Sequence, residues 1–591
     1  MSGAGRLRRS ARPAFSSKLV AVAAAVLLGL PGCQTQEPAP RAEPLPPGGV
    51  LRVITSGNID SLDPGRMYYA PSWFLARGLY RTLVTYPAAA DLAEQNVLVP
   101  DLAVDTGQRN EDATRWVFKI RRGIKFGPKI GGEHVAGVTG SEITCPDFKY
   151  AIERLFLESV QSGYSFMYEI LEGAEVYRAG AADEISGIQC PDPKTIVYEL
   201  TEPAGDWPYR LAMPGAGPIA RKAAARYDRS KERSEYEDHA VATGPYYMLR
   251  LDEGRLMRLA RNEFWDRETD EVRAANVEGV FWRIGFQTEV AVQKVLDGEF
   301  DLTVDSEPTG PQLAALLRDR KLRRRVLSEP QLCTRYIFLN TTEEPFDDVM
   351  VRRAVNFAID RNNLKRILGG SMTGEVAASL APPGLGGHLP PGEYNPFRTP
   401  QMAGDLEKAK RLMARAGYPN GYDGEILMVG ATDAPHDRFF ESVAADLEQL
   451  GFTNIKPKLP PFPNHLLKFY RVPSSNTDVG VSGGWCKDYN DAFTFFDPTF
   501  HGDNIRESAN LNEAEIDDPV LNELIDRASR TPLGPERTEL WEEVNRRATE
   551  SGAWVPWSWD RTTIVFSERV VNPIYNAFFS HIDWVALELP K

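Results

Sequence analysis

The most informative segment of this sequence reads Arg335-Tyr336-Ile337-Phe338-Leu339-Asn340-Thr341, followed by Glu344-Pro345-Phe346-Asp347-Asp348 and Val351-Arg352-Arg353-Ala354-Val355. Its apolar opening predicts a strand over 335–340. After the Pro-Phe turn, apolar residues recur at helical spacing and predict an amphipathic helix over 351–359 that begins behind two aspartates. A strand, a turn and a capped helix in this order indicate a chain of mixed α/β architecture.

The same alternation extends through the rest of the chain. Because strands and helices follow one another at these lengths, we expect an α/β fold with mostly parallel sheets covered by helices. No repeat of fixed period is present. Further strands are predicted over 51–54, 116–120, 195–200, 255–259, 426–429, 455–459 and 478–481, and further helices over 141–156, 405–416 and 439–450.

Length and composition place the chain among large globular proteins. Its 591 residues suggest roughly four structural units at about 150 residues each. A content of 42% hydrophobic and 25% charged residues excludes disorder and collagen. The net charge of −14 argues against a nucleic-acid partner, which needs concentrated Lys and Arg. One basic run, Arg318 to Arg325, is interpreted as a solvated face.

The first 49 residues are typical of an export and anchoring segment. Five basic residues precede an apolar run over 19–30, which is shorter than the about 20 residues of a membrane span but fits a signal peptide over 1–32. Leu30-Pro31-Gly32-Cys33 resembles a bacterial lipobox, which implies acylation of Cys33. Plain secretion with cleavage near Gly32 stays open, because Pro31 is unusual in that motif. The proline-rich residues 33–49 predict an extended tether.

This N-terminus predicts an extracytoplasmic protein that touches the membrane through its lipid alone. No second apolar stretch approaches transmembrane length. The Gram type of the host, and with it a periplasmic or a cell-surface position, stays open.

The segment 335–361 has further counterparts along nearly the whole chain from residue 50. In this order they resemble the extracytoplasmic solute-binding proteins of family 5, the peptide/nickel class that serves ABC importers. The resemblance implies a two-lobed type II periplasmic-binding-protein fold, α/β, with a small additional subdomain in lobe one. The other segments are Ser61-Leu62-Asp63-Pro64, Pro100-Asp101-Leu102-Ala103, Phe118 to Phe126, Thr243-Gly244-Pro245-Tyr246 and Ala409 to Tyr418.

From the same resemblance we expect lobe one over 50–330 plus 551–591, with its inserted subdomain over about 76–190, and lobe two over 331–550. Two strands that cross between the lobes are expected to act as a hinge, and the ligand to lie in the cleft. The implied partners are an oligopeptide ligand and the permease subunits of an ABC importer. The protein is expected to be a monomer, and no bond is made or broken.

Two segments, Leu332 to Tyr336 and Gly484 to Asn490, are similar to oligopeptide-binding receptors in particular. That similarity implies that Asp488 accepts the α-ammonium group of the ligand and that the backbone beside it pairs with the peptide as an added strand. The expected ligand-binding residues are Gly484, Trp485, Cys486, Asp488, Tyr489, Asn490, Tyr68, Tyr69, Ala70, Tyr164 and Trp559.

Other roles are open for several of these residues. Asp488 could instead be a solvated loop carboxylate, and Gly484 could serve only a turn. Trp485 and Trp559 are candidates for the core, and Tyr164 for packing in the smaller subdomain.

One position departs from the receptor pattern. Three residues before Trp485, some relatives carry an arginine that neutralises the peptide carboxylate, and here the residue is Ser482. How a ligand carboxylate would be held is therefore open. A nickel chelate, a modified peptide and an oligosaccharide remain alternative ligands, and ligand sensing remains an alternative role.

Four cysteines remain beside Cys33. The resemblance implies a disulfide between Cys333 and Cys486 in the second lobe. An even residual count in an exported chain favours a second disulfide between Cys145 and Cys190, with two buried free thiols as the alternative.

A secreted hydrolase is the rival from another functional class. The chain has no G-x-S-x-G elbow, no H-E-x-x-H and no C-x-x-C. Its seven histidines, at 134, 239, 388, 436, 465, 501 and 581, lack metal-ligand spacing. We therefore expect neither a metal nor another cofactor, and no enzyme.

Overall fold

The structure, a computed structural model, describes residues 49–229, 233–461 and 463–590. The expected signal peptide over 1–32, the lipidation site Cys33 and the tether up to residue 48 lie outside the described residues. Among those described, no helix combines the length and the apolar character that a membrane crossing requires.

The strands occur in two main sheets and in smaller groups. In chain order they are β1 Val50–Thr55, β2 Val84–Thr85, β3 Val99–Pro100, β4 Gln108–Arg109, β5 Arg115–Lys119, β6 Ile188–Asp192, β7 Thr195–Glu199, β8 Tyr246–Asp252, β9 Leu256–Arg261, β10 Gly279–Arg283, β11 Leu302–Val304, β12 Val326–Leu339, β13 Gly374–Glu375, β14 Ile426–Val429, β15 Ile455–Lys458, β16 Val479–Cys486, β17 Trp554–Val565, β18 Tyr575–Asn576 and β19 His581–Ile582.

The helices cover the sheets and connect their strands. They are α1 Ala70–Leu79, α2 Leu92–Gln95, α3 Cys145–Arg154, α4 Ala174–Arg178, α5 Trp207–Leu211, α6 Arg221–Asp228, α7 Thr288–Leu296, α8 Gly310–Arg318, α9 Val349–Ala358, α10 Arg361–Leu368, α11 Leu406–Arg415, α12 His436–Leu450, α13 Phe493–Phe500, α14 Pro519–Arg530 and α15 Pro535–Ser551.

Both main sheets are mixed. The five-stranded sheet has the order β11-β1-β10-β9-β8, and in it only β1 pairs in parallel, with β10 and β11. The six-stranded sheet has the order β13-β17-β12-β16-β14-β15, and in it only β14 pairs in parallel, with β15 and β16. The expectation of mostly parallel sheets is therefore wrong. Strands such as β8 and β9 follow each other through a short turn, which forces an antiparallel pair.

Local signals place the predicted helices well. The helix predicted over 141–156 begins at Cys145, because Thr144 and Asp147 form a reciprocal capping box in which Asp147 Oδ2 accepts from Thr144 N at 2.8 Å. The helix that follows the Pro-Phe turn begins after Asp348, whose carboxylate accepts from Met350 N at 2.7 Å. The second aspartate of the opening segment, Asp348, is therefore a helix cap.

Strands β12 and β17 are long and pair with each other along most of their length. Near one end, Val565 is buried beside Ile54 and Phe281 of the five-stranded sheet. Near the other end, Ile337 and Val555 are buried in the core beneath the six-stranded sheet. The two strands thus run from one core into the other, as the fold class requires.

The pairing of β12 with β17 shifts register between Pro330 and Thr334, on the way from one core to the other. Leu332 lies within this irregular stretch and has a φ of 57°, which is unusual for a residue with a side chain. A local departure from the ladder therefore marks the part of β12 that lies between the two cores.

A smaller antiparallel sheet, β4-β5-β7-β6, lies in the first half of the chain. The disulfide between Cys145 and Cys190 joins the first residue of α3 to β6 of this sheet. The alternative of two free thiols at these positions is therefore wrong for this structure.

Candidate functional site

Strand β16 has one edge that is only partly used. On one side it pairs with β12 from Val479 to Cys486, and the disulfide Cys333–Cys486 joins two residues that lie opposite each other in this ladder. On the other side it pairs with β14 through Val479 and Gly480 alone. Within the described residues, no strand pairs with the second half of β16 on that side. Its backbone groups can therefore accept another extended chain.

A cavity of about 470 Å³ lies next to the end of β16. Phe166, Met167 and Ile170 line it from the segment between α3 and α4. Trp485, Asp488 and further residues up to Arg530 line it from the other side. The wall thus combines residues from before β12 with residues from β16 onward.

Asp488 is the distinctive charge of this cavity. Its backbone N–H donates to Thr494 Oγ1 at 3.2 Å, which fixes the turn that follows β16. Within the described residues, the Asp488 carboxylate has neither a hydrogen bond nor an ion pair. Its deep position raises the pKa of Asp488 to about 6, and the neighbouring Lys487 only partly offsets this effect. A half-buried carboxylate of this kind is suited to a cation that a ligand brings.

Lys487 does not neutralise Asp488 by contact. Its Nζ donates to the backbone oxygen of Phe578 at 3.0 Å and lies over the Phe578 ring, 5.6 Å from its centroid. Burial lowers the pKa of Lys487 to about 8, and the charge of Asp488 opposes that shift.

Two tyrosines from the first half of the chain lie close enough to Asp488 for its charge to affect their phenols. Tyr68 and Tyr164 stack with ring centroids 5.5 Å apart, and Trp73 meets Tyr164 edge-on at 5.9 Å. Burial, followed by the negative charge of Asp488, raises the pKa of both phenols. Tyr68 and Tyr164 thus lie near Asp488, but neither of them lines the cavity.

Asp60 holds the segment that carries Tyr68. Its Oδ2 accepts from Tyr68 N at 2.7 Å and from Tyr69 N at 3.3 Å. The side chains of Tyr68 and Tyr69 remain 61% and 59% exposed, and Ala70 is exposed as well. Tyr69 and Ala70 do not line the cavity.

A cation that sequence reasoning missed also faces this region. Arg471 lowers the pKa of the Tyr68 phenol, opposite to the effect of Asp488, so its charge lies near the same hydroxyl. Its Nε lies 3.8 Å from Glu513, a buried acid whose pKa burial raises to about 7. Arg471 lies between a five-residue π-helical turn and a loop, where no motif marks it. Only the fold brings it to Tyr68.

The remaining residues of the expected binding segment have different environments. Trp485 is half-buried, lines the cavity and donates from Nε1 to Thr494 O at 3.0 Å. Gly484 and Cys486 are exposed, and a Cβ added at Gly484 would meet no atom within 4 Å. The backbone of Gly484 therefore faces open space.

Tyr489 and Asn490 are mainly occupied by protein contacts. The Tyr489 hydroxyl donates to Asp206, and the Asn490 amide donates from Nδ2 to Asn96 Oδ1 at 2.6 Å. Tyr489 lines the cavity from a buried position, whereas Asn490 lines a second cavity of about 860 Å³ that lacks Asp488. Both residues connect the end of β16 to residues that precede β12.

Trp559 is a core residue in this structure. It is 2% exposed, packs with Ala377 and Ala378, and donates from Nε1 to Ser379 O at 3.1 Å. It does not line the cavity. Of the two roles considered for Trp559, a ligand contact and a core residue, its placement is that of a core residue.

Among the residues that the structure describes, no group of three or more His, Cys, Asp and Glu side chains has a geometry that could hold a metal ion. The cavity therefore has the properties of a binding site, with the Asp488 carboxylate and aromatic side chains in its wall and a free strand edge beside it.

Comparison with known proteins gives consistent results. The family model of the bacterial extracellular solute-binding proteins, family 5 Middle, matches residues 97–507. The periplasmic oligopeptide-binding protein OppA of Salmonella typhimurium is 24% identical over 506 residues, which cover 84% of each chain. The glutathione-binding protein GsiB of Salmonella choleraesuis is 22% identical over 85% of this chain and 88% of its own.

Among solved structures, the clavulanic acid biosynthesis oligopeptide binding protein 2 superposes with a TM-score of 0.83 at 28% identity. The superposition covers 92% of this chain and 96% of the other. The two chains therefore share their architecture over nearly their full lengths.

Proposed function

The chain belongs to the bacterial extracellular solute-binding proteins of family 5, and from that membership and the cavity geometry we propose that it captures oligopeptides and delivers them to an ABC importer. As a member of this family it is an extracytoplasmic protein that binds a solute, and the relatives described above are binding proteins rather than enzymes. The peptide ligand, the delivery step and the lipid anchor at Cys33 belong to the proposal.

The observation that carries the peptide assignment is the state of Asp488. A carboxylate that is half-buried, lines a cavity and has no cation within hydrogen-bond distance is costly to keep charged. A peptide α-ammonium group would supply the missing charge and three hydrogen-bond donors. The Tyr68 and Tyr164 rings would flank the first residue of the ligand.

The free edge of β16 supports recognition of the peptide main chain. An extended ligand that pairs beside Gly484 and Cys486 would place its N-terminus near Asp488, two residues farther along. Because main-chain groups are common to all peptides, this mode tolerates varied side chains. Open space at Gly484 fits a close approach of the ligand backbone.

Arg471 is the proposed partner of a ligand carboxylate. The position at which some relatives place an arginine is Ser482, which carries no charge. Arg471 provides a positive charge near the Tyr68 hydroxyl, although it does not line the cavity itself. The cavity volume of about 470 Å³ lies in the lower half of the range of about 300–1,000 Å³ for small-ligand sites and favours short peptides.

The lobes follow from the two cores. We assign residues 50–330 and 551–591 to lobe one, with the subdomain over about 76–190, and residues 331–550 to lobe two. The first boundary coincides with the register shift after Pro330 in β12. β12 and β17 would act as the hinge, so that a ligand bound between the lobes stabilises the closed form.

The test compares the affinity of purified protein for a short peptide and for its N-acetylated form by calorimetry. We expect Asp488→Asn to lower the affinity for the peptide with a free N-terminus at least about tenfold, which corresponds to one lost charge-assisted contact. The same substitution should change the affinity for the acetylated peptide little.

Asp503→Asn is the matched control, because the Asp503 side chain is 95% exposed and does not line the cavity. An equal loss for both peptides in the Asp488 variant would contradict the ammonium role. Peptide hydrolysis that a point substitution abolishes would overturn the assignment as a binding protein.

A further inference from the structure

A compact group of basic side chains lies where α8 ends and β12 begins. Its exposed members, named here the basic face, are Arg318, Arg320, Lys321, Arg323 and Arg324. Within the described residues, none of the five forms a salt bridge. Asp319, the acid among them, uses its Oδ1 to accept the backbone N–H groups of Lys321 and Leu322, at 2.7 and 3.2 Å.

Two inward-facing residues, Leu322 and Arg325, anchor the turn between α8 and β12. Leu322 packs against the core of the five-stranded sheet. Arg325 is buried and donates to the backbone oxygens of Phe566, Leu296 and Val295 at 2.9, 3.0 and 2.7 Å. Because these contacts anchor the turn, the cations between them project outward from a defined position.

The surface beside the basic face is concave and keeps the positive charge. A cavity of about 590 Å³ lies there. Arg320, Lys321 and Arg324 line it, and Glu568 is the one acid in its wall. On a chain with a net charge of −14, such a concentration of cations differs from the average surface.

The basic face and Val50, the start of β1, belong to the same part of the fold. Val50, the first residue of β1, packs against the same apolar cluster as Leu322 and Val326. Backbone hydrogen bonds connect the two places in three steps: Phe566 N to Arg325 O at 3.1 Å, Ser567 N to Asp301 O at 2.8 Å, and Asp301 N to Arg52 O at 2.7 Å. The start of β1 and the start of β12, which follows the basic face, therefore lie a few strands apart on the same apolar cluster.

We propose that the basic face binds the anionic phospholipid headgroups of the membrane on which the protein is anchored. The proposal rests on the proposed function only for the lipid at Cys33. An acidic body is repelled by an anionic membrane, so a local group of cations next to the tether decides which side approaches it. A lipid chain combined with a polybasic patch is a known physical route to stable attachment.

The tether alone would not fix this orientation. Sixteen residues separate Cys33 from Val50, so a lipid at Cys33 leaves open which side of the body approaches the membrane. Contact through the basic face would restrict the orientations that the body can take at the membrane. It would also hold the entry point of the tether close to the lipid surface.

The experiment measures co-sedimentation of the unlipidated chain from Gln34 onward with vesicles, since residues 45–591 form one compact unit. The two vesicle types are pure phosphatidylcholine and phosphatidylcholine with phosphatidylglycerol. We expect binding to the anionic vesicles alone, weakened by salt. Arg320→Gln with Arg324→Gln should reduce that binding up to about 30-fold.

Lys410→Gln with Arg411→Gln is the matched control, because these are two exposed cations on α11. Unchanged peptide affinity in the Arg320/Arg324 variant shows that its fold is intact. Equal binding to both vesicle types, or an equal loss in the α11 control, overturns the proposal. A variant that binds vesicles normally but slows transport also overturns it, since the face would then contact the permease. The mass of native Cys33 tests the anchor separately.

Discussion

At the scale of single residues, Asp488 combines a binding role with a cost to the fold. A carboxyl group whose pKa rises from its ordinary value to about 6 disfavours the charged folded state by roughly 3 kcal/mol at neutral pH. We expect Asp488→Asn to increase the free energy of unfolding of the ligand-free protein at pH 7 by up to that amount. Thermal unfolding of both proteins, followed by calorimetry, measures the difference.

The sign of this effect fixes its pH dependence. Below the unfolded pKa of about 4 both states are protonated and Asp488 costs nothing, and the cost grows as pH rises until the folded group ionises near pH 6. The advantage of Asp488→Asn should therefore disappear as pH falls from about 6 to about 4. A constant advantage over this range would show that the substitution acts through packing instead.

Peptide binding should show a second pH dependence of the same residue. The complex needs Asp488 ionised and the peptide amine protonated, so affinity should fall below pH about 6 and again above about 8, where an α-amino group loses its proton. Calorimetric titrations over this pH range measure both decreases in affinity, the acidic limb and the basic limb of the profile. In Asp488→Asn the acidic limb should be absent, and a retained acidic limb would assign that titration to another group.

At the scale of secondary-structure elements, the two disulfides constrain different parts of the chain. Cys333–Cys486 closes a loop of 153 residues and joins β12 to β16 beside Asp488, whereas Cys145–Cys190 closes one of 45 residues. In the chain-entropy description the longer loop contributes about 1 kcal/mol more stability. Double Cys→Ser replacement of each pair, compared by urea unfolding, should show this difference.

Peptide affinity separates the two disulfides further. Only Cys333→Ser with Cys486→Ser loosens the ladder that carries Trp485 and positions Asp488, so only this variant should bind peptide more weakly. The Cys145/Cys190 variant is the internal control. Weaker binding in the control alone would contradict the assigned site.

The elements also show which parts of the fold local sequence patterns can predict. Apolar alternation and caps located β1, β5, β14 and the four helices α3, α9, α11 and α12, because these signals lie within a few neighbouring residues. The first part of β12 was not predicted, since Ser328 to Gln331 lacks an apolar pattern, and β16 was predicted only to Val481 because glycines follow. Strand direction depends on connections and partners, which explains the wrong expectation of parallel sheets.

The site residues that belong to one short sequence motif could be predicted. The residues that folding brings together from distant parts of the chain could not. Asp488 and Trp485 belong to one short segment, and the structure places both at the cavity. Arg471 reaches Tyr68 from a distant part of the chain, and the buried position of Trp559 depends on packing against Ala377. Long-range packing of this kind leaves no mark on local spacing.

At the scale of the whole molecule, the segment after β16 joins the binding site to the proposed closure of the lobes. Lys487 and Asn490 bond to residues before β12 or after β17, and Tyr489 donates to Asp206. Asp488 lies within the same four residues. A ligand that neutralises Asp488 would therefore also favour the position of its neighbours against the other lobe.

This coupling predicts that a contact remote from the ligand controls affinity. Tyr489→Phe removes a hydrogen bond to a buried carboxylate that would exist only in the closed form, and such bonds contribute about 1.5–3 kcal/mol. Asp206 keeps its ion pair with Arg210, at 3.0 Å, so the charge stays compensated. We expect peptide affinity to fall about tenfold, mainly through faster dissociation, because the closed form is less populated.

Tyr150→Phe provides the matched control. The Tyr150 hydroxyl also donates to a buried aspartate, Asp228 at 2.5 Å, but both residues lie within lobe one as assigned here. This variant should lose stability of similar size without a change in peptide affinity, since its bond is present in the open and the closed form alike. Stopped-flow dissociation and calorimetry on both variants separate the two effects. If Tyr150→Phe weakens peptide binding as much as Tyr489→Phe, affinity follows overall stability, and the segment after β16 does not transmit closure.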